Sequence, residues 1–129
     1  MNVIGSSDHD SITLGRGRKD QVRNGGNSSY DTITLGDGPA GTVFVGGDSS
    51  HDTITLGNGE EDQVTIIGSS SYDTITLGDG FLDHVSVLGN TDHDTIIVGN
   101  GANDTITLNS NLTGTATGGD TIITGTGCC

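Results

Sequence analysis

Apolar and polar residues alternate in short segments along most of this chain. In residues 53–56 isoleucine and leucine alternate with two threonines, and residues 63–66 repeat the alternation with valine and isoleucine. A period of two, rich in β-branched side chains, is typical of β-strands. Glycine-rich turns follow these segments, and no stretch has the period of an amphipathic helix. The pattern therefore predicts an all-β protein.

The segments recur at a constant spacing. One copy has the sequence Asp-Thr-Ile-Thr-Leu-Gly, and the interval from each copy to the next is the same. Exact or looser copies begin at Asp10, Asp31, Asp52, Asp73 and Asp94. A second motif, with residues 62–64 as one copy, repeats with the same step and falls midway between copies of the first. Each 21-residue unit is thus predicted to hold two short strands.

A repeat without insertions lets each copy lie directly on the previous one, as the coils of a solenoid do. Stacking then aligns four aliphatic columns, two on each wall, to which one coil contributes Ile54, Leu56, Val64 and Ile66. The predicted fold class is an all-β parallel β-solenoid, a flattened two-walled β-roll of five to six coils, each of about 21 residues. We expect the solenoid to cover residues 1–108, with residues 109–129 as an irregular last coil, a C-terminal cap or a docking tail.

Composition narrows the possible functions. The chain has 129 residues, 17 Asp and Glu against four Lys and Arg, and a formal net charge of −13. A chain this acidic repels nucleic-acid phosphates, and no apolar run is long enough to span a membrane. The absence of Trp and the presence of only two Phe and two Tyr exclude an aromatic core. No Ser-His-Asp or Cys-His catalytic set is visible, so we expect a non-enzymatic protein.

Stacking would turn every repeated polar residue into a column with a spacing of ~4.8 Å. The Asp that precedes the first strand forms the first Asp column: Asp10, Asp31, Asp52, Asp73 and Asp94. The Asp that precedes the second strand forms the second Asp column, which Gly41 interrupts: Asp20, Asp62, Asp83 and Asp104. Like charges at this spacing raise one another's pKa, so the carboxylates must cap turn amides, bind a cation, or both. All of them except Asp10 are therefore candidate metal ligands, and capping alone is the alternative.

Two further columns have a period of two coils. After the first turn glycine Asp and Asn alternate, which separates the charges and gives each carboxylate an amide donor: Asp37, Asn58, Asp79 and Asn100. Before the first Asp column His and Tyr alternate: His9, Tyr30, His51, Tyr72 and His93. We expect these rings to stack along the solenoid. Metal binding by the histidines is the weaker alternative, because every second coil lacks a ligand.

The turn sequences resemble a known family. Residues 57–64, with the sequence Gly-Asn-Gly-Glu-Glu-Asp-Gln-Val, are similar to the motif Gly-Gly-x-Gly-x-Asp-x-aliphatic-x of the hemolysin-type calcium-binding repeats, the RTX family. The same motif, in one case more loosely, occurs at residues 15–22, 78–85 and 99–106. The resemblance implies a parallel β-roll with calcium between the turns, held by Asp62, Asp83 and Asp104 together with turn carbonyls. Compared with the family motif, one extra residue lies between the second glycine and the Asp.

The outward positions of the first strand form a grid of threonines: Thr32, Thr34, Thr53, Thr55, Thr74 and Thr76. This flat array resembles the ice-binding face of antifreeze β-solenoids, which implies an ice- or surface-binding face. The alternative is that Thr is a favoured outward residue in any strand, where neighbouring Thr residues form cross-strand hydrogen bonds.

The first five residues align with residues 64–68, so the sequence starts within a strand and without a secretory signal peptide. An uncapped coil exposes unpaired backbone groups, which predicts head-to-tail association with further copies, or with neighbouring repeats of a longer chain. We therefore expect a calcium-stabilised structural module, extracellular or at the cell surface, that assembles into a filament. The adjacent Cys128 and Cys129 are compatible with inter-subunit disulfides, an attachment handle or an inert tail.

Overall fold

The computed structural model describes residues 2–3, 5–97, 99–108 and 121–123. Within these residues the protein is a parallel β-solenoid of about five turns, which confirms the predicted all-β fold class. The same residues contain no helix that is long and apolar enough to cross a membrane.

Each full turn contributes three strands, one to each of three parallel sheets. The first sheet contains β1 (Asn2–Val3), β4 (Gln21–Asn24), β7 (Thr42–Val45), β10 (Gln63–Ile66), β13 (His84–Val87) and β16 (Thr105–Leu108). The second sheet contains β2 (Ser7–Asp8), β5 (Ser28–Ser29), β8 (Ser49–Ser50), β11 (Ser70–Ser71) and β14 (Thr91–Asp92). The third sheet contains β3 (Ser11–Thr13), β6 (Thr32–Thr34), β9 (Thr53–Thr55), β12 (Thr74–Thr76), β15 (Thr95–Ile97) and β17 (Thr121–Ile123).

The second sheet is an element that the hydrophobic pattern did not predict. Its strands are two residues long, and β5, β8 and β11 each consist of two serines. Such segments have no apolar alternation and no β-branched residue, so they resemble turns in the sequence. The structure thus adds this narrow second sheet to the two walls that the sequence predicts.

Paired residues lie 21 positions apart from β1 to β16. Gln63, for example, pairs with Thr42 in the previous coil and with His84 in the next. A constant step places the same consensus position of every coil on one line parallel to the solenoid axis. The columns inferred from the repeat are therefore present in the structure.

The described part of the last coil departs from this step. Thr121 of β17 lies opposite Thr95 of β15, so the step there is longer than in the preceding coils. The rest of the predicted cap or tail over residues 109–129 lies outside the described residues.

Aliphatic columns between the first and third sheets form the core. The buried members are Ile12, Val22, Ile33, Leu35, Val43, Val45, Ile54, Leu56, Val64, Ile66, Ile75, Leu77, Val85, Val87 and Ile96. In β4 the buried Asn24 takes the place that Val45 holds one coil later. Its amide donates to Ser7 Oγ and its Oδ1 accepts the N–H of Gly26 at 3.1 Å, so the buried amide is satisfied.

Backbone conformation at the turns repeats as strictly as the strands do. Two residues per coil have φ between 53° and 63°: His9, Lys19, Tyr30, Ala40, His51, Glu61, Tyr72, Leu82, His93 and Asn103. A non-glycine residue in this left-handed region costs roughly 1–2 kcal/mol, so the packing of coil on coil imposes the conformation. The coils also approach each other closely at the glycine turns. A Cβ added to Gly80 would lie only 1.7 Å from the carbonyl oxygen of Gly59, so a side chain does not fit there.

Candidate functional site

The first Asp column lies buried at the turn between the second and third sheets. Asp31, Asp52 and Asp73 are each 1% exposed. Their Oδ1 atoms accept the N–H of the Asp one coil earlier at 2.7–2.8 Å. Their Oδ2 atoms accept the hydroxyl of the Ser three residues earlier at 2.8 Å. Both oxygens are thus used by donors of the protein, which is the capping arrangement.

The ends of the first Asp column differ from its centre. Asp10 is exposed and donates its N–H to Asp31. Asp94 is buried, and its Oδ1 accepts the N–H of Asp73 at 2.8 Å. The backbone part of the capping ladder therefore runs from Asp10 to Asp94.

Buried serines connect consecutive carboxylates of this column. Ser28 donates to Asp31 and also hydrogen bonds with Asp52, and Ser49 is shared in the same way between Asp52 and Asp73. Burial raises the pKa of Asp52 and raises that of Asp73 to about 6, against the opposing effect of these hydrogen bonds. A serine hydroxyl has one proton, which it donates to one of the two carboxylates. Its contact with the other carboxyl group is a good hydrogen bond when that group is protonated and donates to the hydroxyl oxygen.

The second Asp column lies at the turn between the third and first sheets. Asp62 and Asp83 are each 1% exposed, and their Oδ1 atoms accept backbone N–H groups from the previous coil, at 2.8 and 3.0 Å. Their Oδ2 atoms are buried and have no hydrogen-bond partner among the described residues. Burial raises the pKa of both carboxyl groups to about 6. Each of these two coils therefore holds one carboxylate oxygen that lacks a donor.

The outer members of the second Asp column are half-buried. Asp20 Oδ2 accepts the N–H of Gly17 at 3.1 Å, and Asp104 Oδ1 accepts the N–H of Asp83 at 3.0 Å. Gly41, which interrupts the column, donates its N–H to Asp62. The turn amides of this row are thus capped in the same way as those of the first column.

The two columns differ in how well they fit calcium, which accepts carboxylate and backbone carbonyl oxygens. At Asp31, Asp52 and Asp73 of the first column a cation would have to displace a serine or an amide, so the donor set of these three residues does not fit. In the second column the free Oδ2 of Asp83 lies beside the turn, where a Cβ on Gly80 would be 3.2 Å from it. Within the described residues no three Asp, Glu, His or Cys side chains form a metal-binding group. Turn carbonyls would therefore supply most of the ligands.

The exposed Asp/Asn column forms a second kind of ladder. The N–H groups of Asn58, Asp79 and Asn100 donate to the side-chain oxygen one coil earlier at 2.9–3.1 Å. Each Asn amide also lies 3.2–3.4 Å from the carboxylate of the previous coil. Arg16, one coil before Asp37, pairs with its carboxylate at 3.2 Å. No two carboxylates are adjacent in this column, which limits repulsion on the surface.

The His/Tyr column forms one continuous stack of five rings. Successive ring centroids are 4.7–5.0 Å apart, with interplanar angles of 9–17°. A tyrosine separates each histidine from the next, so the imidazoles do not converge on a shared metal position. At the two ends Nδ1 of His9 and His93 lies 2.8 and 2.7 Å from Asp8 and Asp92.

The threonine grid covers the outer face of the third sheet. The register aligns its members in two columns, and Ile97 follows Thr76 in the second of them. The side chains are exposed or half-buried: Thr32, Thr34, Thr53, Thr55, Thr74 and Thr76. The structure therefore presents a regular hydroxyl and methyl surface along three coils.

The serines that bind the first Asp column are the site residues missing from the sequence-based prediction. Ser28, Ser49 and Ser70 recur once in each coil, three residues before an Asp. This spacing is a usable signal, because Ser and Asp three residues apart can hydrogen bond within one turn. In a serine-rich turn, however, the sequence does not distinguish a buried serine from an exposed one.

Comparisons with protein-family models, with curated proteins and with solved structures found no match to this chain. The resemblance to hemolysin-type repeats therefore rests on the turn motif, and the structure adds to it a β-solenoid of 21-residue coils.

We expect acidification from pH 7 to pH 5 to stabilise the fold. The folded state raises the pKa of Asp73 from 3.8 to about 6, so between these values it binds a proton that the unfolded chain does not. The stabilisation that this proton gives to the folded state is present at low pH and is lost as the pH rises through about 6. Asp62 and Asp83 act in the same direction. The free energy of unfolding, measured with urea, should be higher at pH 5 than at pH 7 by ~1 kcal/mol for each of these three carboxyl groups.

Two variants locate the origin of this pH dependence. Asp73→Asn keeps an acceptor at Oδ1 and should lose part of the dependence. Asp48→Asn, in an exposed turn where Oδ1 accepts the N–H of Ser69, should retain it. A fold that loses stability on acidification, or an Asp73→Asn variant with the full dependence, would contradict the prediction.

Proposed function

We propose that this chain is a non-enzymatic structural module, stabilised by calcium at the second Asp column, that acts outside the cell and associates end to end into a filament. The observation that carries the proposal is the constant register, which repeats every chemical group along the axis. A rod built in this way extends by adding coils.

Repetition of the polar groups supports a role other than catalysis. An active site brings unlike groups together at one place, with a nucleophile, a base and a stabilising donor in defined geometry. Here the carboxylates and rings of one coil recur in the next, and their hydrogen bonds run along the axis to chemically similar neighbours. This arrangement is suited to holding coils together.

The unpartnered oxygens of Asp62 and Asp83 support calcium binding at the second Asp column. A buried carboxylate without a donor is costly, and a divalent cation would compensate it and also reduce repulsion along the column. Oδ2 of these residues and carbonyls of the adjacent glycine turns are the ligands we assign. Calcium bound only by the folded state would stabilise that state by mass action.

The proposed calcium chemistry supports an extracellular location. Sites with few carboxylates and many carbonyl ligands bind calcium weakly, and extracellular modules work at about 10⁻⁴–10⁻³ M calcium. The net charge of −13 would also attract the cation to the rod.

End-to-end association is supported by the way in which coils recognise each other. Backbone groups of one coil pair with those of the next, and the capping carboxylates reach across the same boundary. A coil edge of this kind could pair with a coil of a second copy by the same contacts. Such an interface is heterologous, so it generates an open filament.

Calcium should raise the thermal stability of the protein at neutral pH, measured by circular dichroism in calcium and in EDTA. At a concentration of about 100 times Kd, bound calcium contributes ~2.7 kcal/mol. The double variant Asp62→Asn/Asp83→Asn should lose this response, because it removes the free carboxylate oxygens. The matched control Asp52→Asn/Asp73→Asn, in the first column, should keep it.

Sedimentation velocity on the same samples tests assembly. We expect species larger than the monomer in calcium, with a proportion that grows with protein concentration. A melting temperature that EDTA leaves unchanged would refute the calcium part, and a stable monomer at high concentration in calcium would refute the filament part.

The threonine grid supports a second candidate function, binding to ice or another regular surface. The observation in its favour is the register that aligns Thr32, Thr53 and Thr74 in one column and Thr34, Thr55 and Thr76 in a parallel one. Repeats along the axis and across the strand are then fixed by the backbone, at ~4.8 Å and roughly 6.7 Å.

Replacing Thr53 and Thr55 by Lys tests this candidate. If the face binds ice, the variant should lose inhibition of ice growth while its circular dichroism spectrum stays that of the parent. The matched control Gln63→Lys/Thr65→Lys, on the outer face of the first sheet, should leave inhibition unchanged. Equal ice growth with the parent protein and with buffer would exclude this function.

A further inference from the structure

The stacked His and Tyr rings form a continuous aromatic surface, which we call the ring rib: His9, Tyr30, His51, Tyr72 and His93. Four consecutive stacking contacts join them, each with centroids 4.7–5.0 Å apart. The rib therefore extends over five coils with nearly parallel rings. A single exposed aromatic side chain would offer a ligand a contact surface only one ring long.

The ring rib is open to solvent. Tyr30 and Tyr72 are each 52% exposed, and the three histidines are exposed as well. All five residues have positive φ, a backbone conformation that costs free energy in the absence of glycine. The turns of the solenoid thus hold a row of aromatic rings at the surface, and exposed aromatic side chains are a common feature of interaction sites.

Charge around the ring rib favours a cationic ligand. The chain carries a net charge of −13. Asp8 and Asp92 lie at the two ends of the rib, each exposed and within 2.8 Å of a histidine Nδ1. Because the faces of the inner rings lie against neighbouring rings, the rib offers a ligand apolar contact, and the carboxylates supply the attraction for a positive charge.

The positions beside the ring rib carry small hydroxyl side chains. In the central coils Ser29, Ser50 and Ser71 precede the rings by one residue, and Thr32, Thr53 and Thr74 follow them by two. These residues are half-buried or exposed. No bulky side chain at these positions blocks a flat molecule that lies along the rib, and the hydroxyls can hydrogen bond with its polar edge.

We propose that the ring rib binds elongated, planar aromatic cations, which lie lengthwise across several consecutive rings. Length selects such a molecule over a compact one, because each further ring adds contact area. Planarity allows simultaneous contact with rings held at a fixed spacing, and positive charge matches Asp8, Asp92 and the acidic rod. The rings precede the first Asp column by one residue but are exposed, whereas Asp31, Asp52 and Asp73 are buried, and the site does not depend on calcium.

Thioflavin T, a planar aromatic cation, is the probe for the test. The chain has no Trp and only two Tyr, both in the ring rib, so intrinsic emission reports on the rib alone. Titration with the dye should give saturable binding together with quenching of the Tyr emission. Binding should weaken as salt is added, since the charge attraction is screened.

Variants then test whether contact with the rings accounts for the affinity of the dye. Tyr30→Ala/Tyr72→Ala should weaken dye binding roughly tenfold or more, because two of the five rings that the dye contacts are removed. Tyr30→Phe/Tyr72→Phe keeps the rings and should bind as the parent does. Gln63→Ser/Thr65→Ser, on the outer face of the first sheet, should also leave binding unchanged.

Three results would overturn the proposal: dye binding without quenching of Tyr emission, unchanged affinity in a folded Tyr30→Ala/Tyr72→Ala variant, or equal affinity for a planar anionic dye of the same length. If the alanine variant loses its β-sheet circular dichroism, the quenching of Tyr emission in the parent protein decides the question.

Discussion

Hydrogen bonds between peptide groups one coil apart determine the rest of this structure. In a parallel ladder each strand pairs with the equivalent strand of the neighbouring coil, and the constant repeat length fixes which residues meet. Every side chain then has its own equivalents above and below it at ~4.8 Å. A residue type is acceptable at a position only if it tolerates contact with a similar residue in the next coil.

Aliphatic residues meet this requirement readily, and acidic residues do not. The structure reduces repulsion among the carboxylates in three ways. Asp31, Asp52 and Asp73 use both oxygens to accept hydrogen bonds, and an asparagine separates Asp37 from Asp79. Asp62 and Asp83 cap an amide with one oxygen and leave the other without a donor. In the last arrangement one oxygen of each carboxylate lacks a donor among the described residues, and a proton or the proposed calcium would compensate it.

The strict repeat made much of the fold predictable. It identifies the all-β solenoid and the core columns, and it places His51 between Tyr30 and Tyr72. Periodicity reveals which residues share a column, but it does not show how much of the turn is extended. The Ser49–Ser50 strand was therefore missed, because two serines carry no apolar signal, and with it the buried hydroxyls that bind the first Asp column. The family resemblance assigned calcium to the second Asp column alone, and the contacts of the Oδ2 atoms of Asp52 and Asp62 give a physical difference between the two columns that the sequence does not show.

The most direct test of the account is a distance measured across many coils. Ser11 and Thr95 lie in the same column, four coil steps apart, although they are far apart in the sequence. Spin labels at cysteines replacing these two residues, with Cys128 and Cys129 changed to Ser, can be measured by double electron–electron resonance. Coils stacked in register predict a narrow distribution near ~19 Å between the backbones, widened only by the label linkers. A much longer or broad distribution would show that the coils do not stack in register.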